Sequence, residues 1–202
     1  MGIANGIENR LIMQDFFVFL REQFSISTFV ETRTLQGETA RFASSRFDRV
    51  ITIEAAKSHF DSARQKLQAC RNVECLHGDS RQHLAGIVRD LTAPALFWLD
   101  AHWSGGGTFG EKAECPLMQE LAAIYDSTSE AFTIIDDARF FISIPPLPHD
   151  YRDWPTYFEI ADFVWQRSPN AFITVFADTI VLAPERVKEK LIGYLRQPRD
   201  IM

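Results

Sequence analysis

The sequence predicts an α/β fold: a mostly parallel, seven-stranded sheet with helices on both faces and an antiparallel hairpin at its C-terminal end. Three features carry that expectation. Five short β-rich runs alternate with segments of helical spacing, the pattern of successive βα units. The runs are almost continuously apolar, as suits strands covered on both sides. Two further runs near the C-terminus are joined by little more than Asp178, too little chain for a crossover helix, so they must pair as an antiparallel hairpin.

The elements follow in order. Ile7, Leu11, Ile12, Phe16, Phe19 and Leu20 fall at helical spacing, so residues 1–25 form an N-terminal helical segment. The first strand is Thr28–Thr32 (TFVET), with a helix over 38–45, and the second is Arg49–Glu54 (RVITIE), with a helix over 57–69. Val73–His77 (VECLH) precedes a helix over 81–90. Residues 95–100 (ALFWLD) precede a loop and a helix over 116–125, and 131–137 (AFTIIDD) make the fifth run. The hairpin takes 172–177 (FITVFA) and 179–183 (TIVLA), and 184–202 make a helical tail.

With 202 residues and 23.1 kDa, the chain is expected to form a single domain over 1–202. A hydrophobic fraction of 46% and a charged fraction of 24% exclude a disordered or fibrous chain. Twenty-one Lys and Arg against 27 Asp and Glu give a net charge of −6 and a pI near 5.4, which provides no basic footprint for nucleic acid or an anionic membrane. Cys70, Cys75 and Cys115 lack the close pairs of a structural zinc site and read as reduced thiols. The apolar stretch at 11–20 is too short to span a bilayer and carries Gln14 and Asp15. A cytoplasmic protein acting on a small molecule is expected, and self-association into a homo-oligomer is left open.

In an open α/β sheet, ligands bind beyond the carboxyl ends of the strands, so the residues after each strand matter most. After the first strand, Glu31-Thr32-Arg33-Thr34-Leu35-Gln36-Gly37 carries neither a P-loop nor the three-glycine dinucleotide fingerprint, which disfavours a phosphate-bearing nucleotide. After the second, Glu54 stands where a carboxylate accepts both ribose hydroxyls of a nucleoside. Gly78-Asp79-Ser80 follows the third, where Asp79 or Ser80 caps the next helix and lies within reach of an adenine ring. Asp100 and His102 follow the fourth strand, before a glycine run at 105–107 that reads as a lid. Asp136 and Asp137 end the fifth.

If the fourth and fifth strands are neighbours, their tips lie about 4.8 Å apart, and Asp100, Asp136 and Asp137 would crowd one corner. Such a cluster is unfavourable unless a cation neutralises it or one carboxyl is protonated. An all-oxygen set suits a hard cation such as magnesium. Alternation sends Asp136 and Asp137 to opposite faces, so joint ligation requires the strand to end before them. The other reading makes either aspartate a turn or cap residue. His102, beside the corner, is suited to take a proton from a hydroxyl. His59 and His83 fall in expected helices and read as structural. The proline- and aromatic-rich stretch 144–154 either walls a pocket or routes the chain to a helix begun by Pro155.

With these residues in view, the chain from Phe29 to Ala183 resembles the class I S-adenosylmethionine-dependent methyltransferases, with their Rossmann-like sheet. FVETRTLQGETARFA is similar to a first-motif segment that usually reads Glu-Thr-Gly-Thr followed by a second glycine. FWLDAHWSGG and FTIIDDARFF are similar to the fourth- and fifth-strand motifs of metal-dependent sugar and macrolide O-methyltransferases. The resemblance implies S-adenosylmethionine as cofactor, with Glu31, Thr32, Arg33, Gly37, Glu54, Asp79, Ser80 and Asp100 around it. It further implies Asp100, Asp136 and Asp137 as ligands of Mg²⁺ or another hard divalent cation, and His102 as general base. One position departs from the pattern: Arg33 stands where the motif has glycine. Its side chain swings out, binds the cofactor carboxylate or fills the pocket. The last outcome would make the chain a non-catalytic binding protein on the same fold, and a metal-dependent hydroxylase or hydrolase is the remaining alternative.

Overall fold

A computed structural model describes residues 2–100, 102, 114–127 and 131–198, with side chains from Asn9 onward. The glycine run, 105–107, lies outside the described residues. The seven strands are β1 (Thr28–Thr32), β2 (Arg49–Glu54), β3 (Val73–His77), β4 (Ala95–Leu99), β5 (Ala131–Ile135), β6 (Phe172–Phe176) and β7 (Thr179–Ala183). They form one sheet in the order β3-β2-β1-β4-β5-β7-β6. The pairs among β1 to β5 are parallel, whereas β7 runs antiparallel to both β5 and β6. The strand order reverses between β1 and β4, so the crevice for a ligand opens at their carboxyl ends.

Strand alternation divides the core by face. Val30, Ile51, Phe97 and Leu99 pack with α4 (Ser80–Arg89), α5 (Leu117–Tyr125) and α7 (Tyr157–Arg167). Phe29, Val50, Leu96 and Trp98 point the other way, against α1 (Gly2–Phe24), α2 (Glu38–Ser44), α3 (Lys57–Leu67) and α8 (Lys188–Leu195). The apolar stripe of α1 binds the second face through rings: Phe17 lies 5.3 Å from Trp98, and Phe24 stacks at 5.2 Å on Phe132. Among the described residues, no helix is long and apolar enough to cross a membrane.

Several expected boundaries shift. The helix expected over 116–125 begins at Leu117, and the one assigned to Pro155 begins at Tyr157. Thr156 is its N-cap, in a capping box with Glu159, because a hydroxyl there satisfies an amide that proline at 155 cannot. A single-turn helix, α6 (Arg139–Ile142), follows β5. The β6–β7 connection is two residues, Ala177 and Asp178, both left-handed at φ 47° and 61°. Two such residues match the twist of a tight hairpin, here without the usual glycine.

Candidate functional site

The carboxyl edge of the sheet has two halves. In the first, over β1 to β3, the chain after β1 folds back on β2. The amides of Arg33 and Thr34 both donate to the Ile53 carbonyl, at 2.9 and 3.2 Å. Arg33 and Leu35 take left-handed backbone, φ 66° and 46°, to make this turn. Gly37, at φ 74°, starts α2, and a Cβ there would come within 3.1 Å of Leu67 Cδ1. Both the left-handed backbone and the close Leu67 side chain favour glycine there.

Below the turn, Thr34 Oγ1 lies 2.6 Å from Thr52 Oγ1, which donates to Glu31 Oε2 at 2.6 Å. Burial pushes the Glu31 carboxyl up to about 8, despite the hydrogen bond from Thr52. Thr32 is fully buried, and its hydroxyl accepts the Asp100 amide at 3.2 Å. Both oxygens of Glu54 are engaged, Oε2 by the Leu35 amide at 2.9 Å and Oε1 by the Ala56 amide at 2.8 Å. Of the two candidate caps, Asp79 is the N-cap of α4, accepting from the Arg81 amide. The Arg81 guanidinium also grips Asp79, holding its carboxyl below the usual range. Ser80 is buried behind it.

The second half lies over β4, β5 and β7. Strand β5 ends at Ile135, so Asp136 and Asp137 lie just beyond it, as joint convergence requires. The Asp136 amide donates to Leu99 O at 3.0 Å, and its Oδ1 accepts the Asp137 amide at 2.9 Å. Asp137 then turns left-handed, φ 58°, which aims its side chain at His102. His102 Nε2 lies 2.8 Å from Asp137 Oδ2 and 3.3 Å from Asp100 Oδ1. One ligand atom from each of Asp100, His102 and Asp137 lies within 4.8 Å of the others. Asp136 is outside this group of atoms, although it lines the same corner.

Arg33 bridges the halves. Its Nη1 donates to Asp100 Oδ1 at 2.8 Å and to the Asp100 carbonyl at 3.3 Å, with both side chains largely buried. Arg139 Nη2 contacts Asp137 Oδ1 at 2.7 Å, and its Nη1 pairs with Asp178 of the hairpin turn. Asp178 also accepts the Arg139 amide and, through its carbonyl, the Ala138 amide, so the turn is docked on the end of β5. Arg33, His102 and Arg139 thus supply the positive charge the carboxylates need. Burial pushes Asp136 up to about 8, reinforced by the charges of Asp100 and Asp137. Burial likewise raises Asp100, against the pull of Arg33 and His102. Burial would lower His102 and raise Asp137, but their mutual hydrogen bond and charge reverse both, raising His102 and lowering Asp137.

Sequence reasoning passed over the group that holds His102 in place. Glu114, 4% exposed, accepts from Trp154 Nε1 at 2.8 Å and from the Asp150 amide at 3.1 Å, and lies 2.9 Å from His149 Nδ1. Trp154, so anchored, packs its ring 5.2 Å from His102 and 5.3 Å from Phe140. The stretch 144–154 therefore walls the corner as well as leading to α7. Arg139 and Asp178 were also missed, although the charged residue two positions after the paired aspartates was a legible signal. Glu114 had none, since its role exists only through residues 35 to 40 positions downstream.

The corner opens into a cavity of about 640 Å³ lined by Asp100, Asp136, Asp137 and Arg139, and by Trp98 and side chains of α1.

No protein-family profile and no curated protein sequence matches the chain. Solved structures do. A candidate caffeoyl-CoA O-methyltransferase from Staphylococcus aureus is 15% identical with a TM-score of 0.62, covering 85% of this chain and 83% of its own. The O-methyltransferase TomG from Streptomyces achromogenes, solved with S-adenosylmethionine, is 17% identical with a TM-score of 0.57, covering 85% and 79%. An O-methyltransferase from Bacillus cereus, solved with S-adenosylhomocysteine, is 19% identical with a TM-score of 0.57, covering 85% and 80%. The fold is that of the class I S-adenosylmethionine-dependent methyltransferases, as the sequence resemblance implied.

Proposed function

We propose that the chain methylates a hydroxyl of a small hydroxylated molecule, such as a sugar or glycoside, with S-adenosylmethionine as donor and a divalent cation in the acidic corner. The observation that supports it best is the convergence of Asp100, His102 and Asp137 beside the β1/β4 crevice, with the two aspartates on the floor of an open cavity and His102 buried behind them.

The donor set fits a hard cation: an oxygen from each of Asp100 and Asp137 lies in one corner, and Asp136 faces the same cavity. In this reading Asp100 and Asp137, with Asp136, hold the ion, which would draw the substrate oxygen in and lower its pKa. Without a cation, the two aspartates favour a protonated His102. Once their charge is compensated, His102 gives up its proton and its Nε2 accepts the one leaving the hydroxyl.

The nucleoside half fits once its side chains exchange internal partners for the ligand. Gly37 allows close backbone approach, Glu54 faces the ribose position, and Asp79 and Ser80 border the adenine side. Glu31 and Thr32 support the turn from beneath. Arg33 must leave Asp100, and the carboxylate at the methionine end of the donor is its natural new partner. S-adenosylmethionine, when bound, supplies a methyl group already activated on sulfur, so the protein's part is positioning and deprotonation.

The second reading, a non-catalytic binding protein, draws on the closed pairs Arg33–Asp100, Glu54–Leu35 and Asp79–Arg81. A thermal-shift titration with S-adenosylmethionine and S-adenosylhomocysteine separates the two. Ligand at 100 times its Kd stabilises by about 2.7 kcal/mol. A shift for the wild type, with methyl transfer to a glycoside seen by mass, supports the enzyme. No shift until Arg33→Gly is made would support the binding protein.

A further inference from the structure

The cavity above the acidic corner is chemically lopsided, and the direction of α1 explains why. Phe24 meets Phe132 near the start of β5, while Phe17 meets Trp98 near the end of β4. The helix therefore runs antiparallel to the parallel strands, and its earlier turns overhang their carboxyl edge. Seven residues separate Phe17 from Arg10, about 10 Å of helix. Trp98 to Asp100 is two residues, about 7 Å of strand. Arg10 thus stands over the mouth of the cavity, across from the carboxylates on its floor.

Three zones result. The floor carries Asp100, Asp136 and Asp137. The wall between is apolar, made by Met13, Phe17 and Trp98, all buried. The mouth is polar, with Arg10, Asn9 and Gln14 on one face of α1. Two arginines line the cavity, and they differ: Arg139 is spent on Asp137 and Asp178, whereas Arg10 forms no ion pair among the described residues. An anion near the floor would be repelled. At the mouth it lies near a Debye length from the carboxylates and meets a guanidinium.

Resting on the methyltransferase reading above, we infer that the acceptor is bipolar: a hydroxylated end directed to the acidic floor, a flat apolar middle against Phe17 and Trp98, and an anionic group, a carboxylate or phosphate, bound by Arg10. A glycoside whose aromatic aglycone ends in a carboxylate has this form, and the cavity, about 640 Å³, can contain it.

The test compares 4-carboxyphenyl β-glucoside with phenyl β-glucoside on the full chain with S-adenosylmethionine and Mg²⁺. Affinity is read by calorimetry with S-adenosylhomocysteine in place of the donor, and methyl transfer by product mass. The wild type should bind the carboxylated probe about tenfold more tightly, Arg10→Gln should abolish that preference without changing affinity for the neutral probe, and Arg10→Lys should restore part of it. Equal binding of the two probes by the wild type, or a preference that survives Arg10→Gln, overturns the inference. Methyl transfer to both under those conditions would leave the methyltransferase reading standing. A preference that depends on Arg10 but comes without methyl transfer would uphold the anion site and count against that reading. Binding of neither probe overturns the inference.

Discussion

The two halves of the sheet's carboxyl edge use the same kind of side chain in opposite ways. Over β1 to β3, Glu54 and Asp79 are each satisfied by nearby amides or a neighbouring guanidinium. Over β4 and β5, Asp100, Asp136 and Asp137 crowd together, and cations reach Asp100 and Asp137 from three separate elements. A carboxylate already holding its amides loses little by staying as it is. One held near its own kind by borrowed cations gains much from a better one. The first half therefore waits for a ligand that can displace internal partners, and the second is poised for a cation.

The sharpest break in this contrast is Asp100→Asn. It removes charge from the corner and frees Arg33 together, and turnover should fall about 10³-fold with loss of metal stimulation, read by initial rates with and without Mg²⁺. Metal stimulation that persists at the lowered rate would take Asp100 out of the ligand set. Next, His102→Ala should reduce kcat by about 10²-fold, while Mg²⁺ affinity by calorimetry stays nearly intact. An unchanged rate at neutral pH removes His102 from the chemistry.

On the other side, Arg33→Gly should weaken S-adenosylhomocysteine binding by about tenfold, or about 1.4 kcal/mol, because it removes the proposed partner of the ligand carboxylate. Tighter binding instead would show that the guanidinium obstructs the slot. A fourth effect, spread over several pH units, concerns Glu31, whose folded pKa of about 8 exceeds its ordinary 4.5. The folded state then holds a proton that the unfolded state has released, so stability falls as pH rises from 4.5 towards 8, by up to about 1.4 kcal/mol per pH unit. Glu31→Gln should flatten urea-unfolding midpoints across that window, with Glu120 (about 7) and Asp136 keeping their share of the slope. An equal slope in wild type and variant would place the titration elsewhere.

Most of the fold was legible because burial on both faces of a parallel strand leaves a continuous apolar mark, and because Asp178 alone could not span a crossover. The corner was legible to the level of its strands: Asp100, Asp136 and Asp137 had to lie together once β4 and β5 paired. Which of them face one another was not, since that depends on the left-handed turn at Asp137, on a carboxylate tied to its neighbour's amide, and on a tryptophan held by Glu114. Arg33 stood out as foreign to its motif. Its direction, across to Asp100, depends on a positive φ that sequence spacing does not encode.

The docking of the β6–β7 turn onto the end of β5 has a consequence for biosynthesis. Arg139 reaches its anchor Asp178 only after 39 further residues have been added. Until the ribosome has released that stretch, β5 is an open sheet edge and the corner lacks one of its supports. The complete acidic corner should therefore form late and abruptly as the nascent chain lengthens.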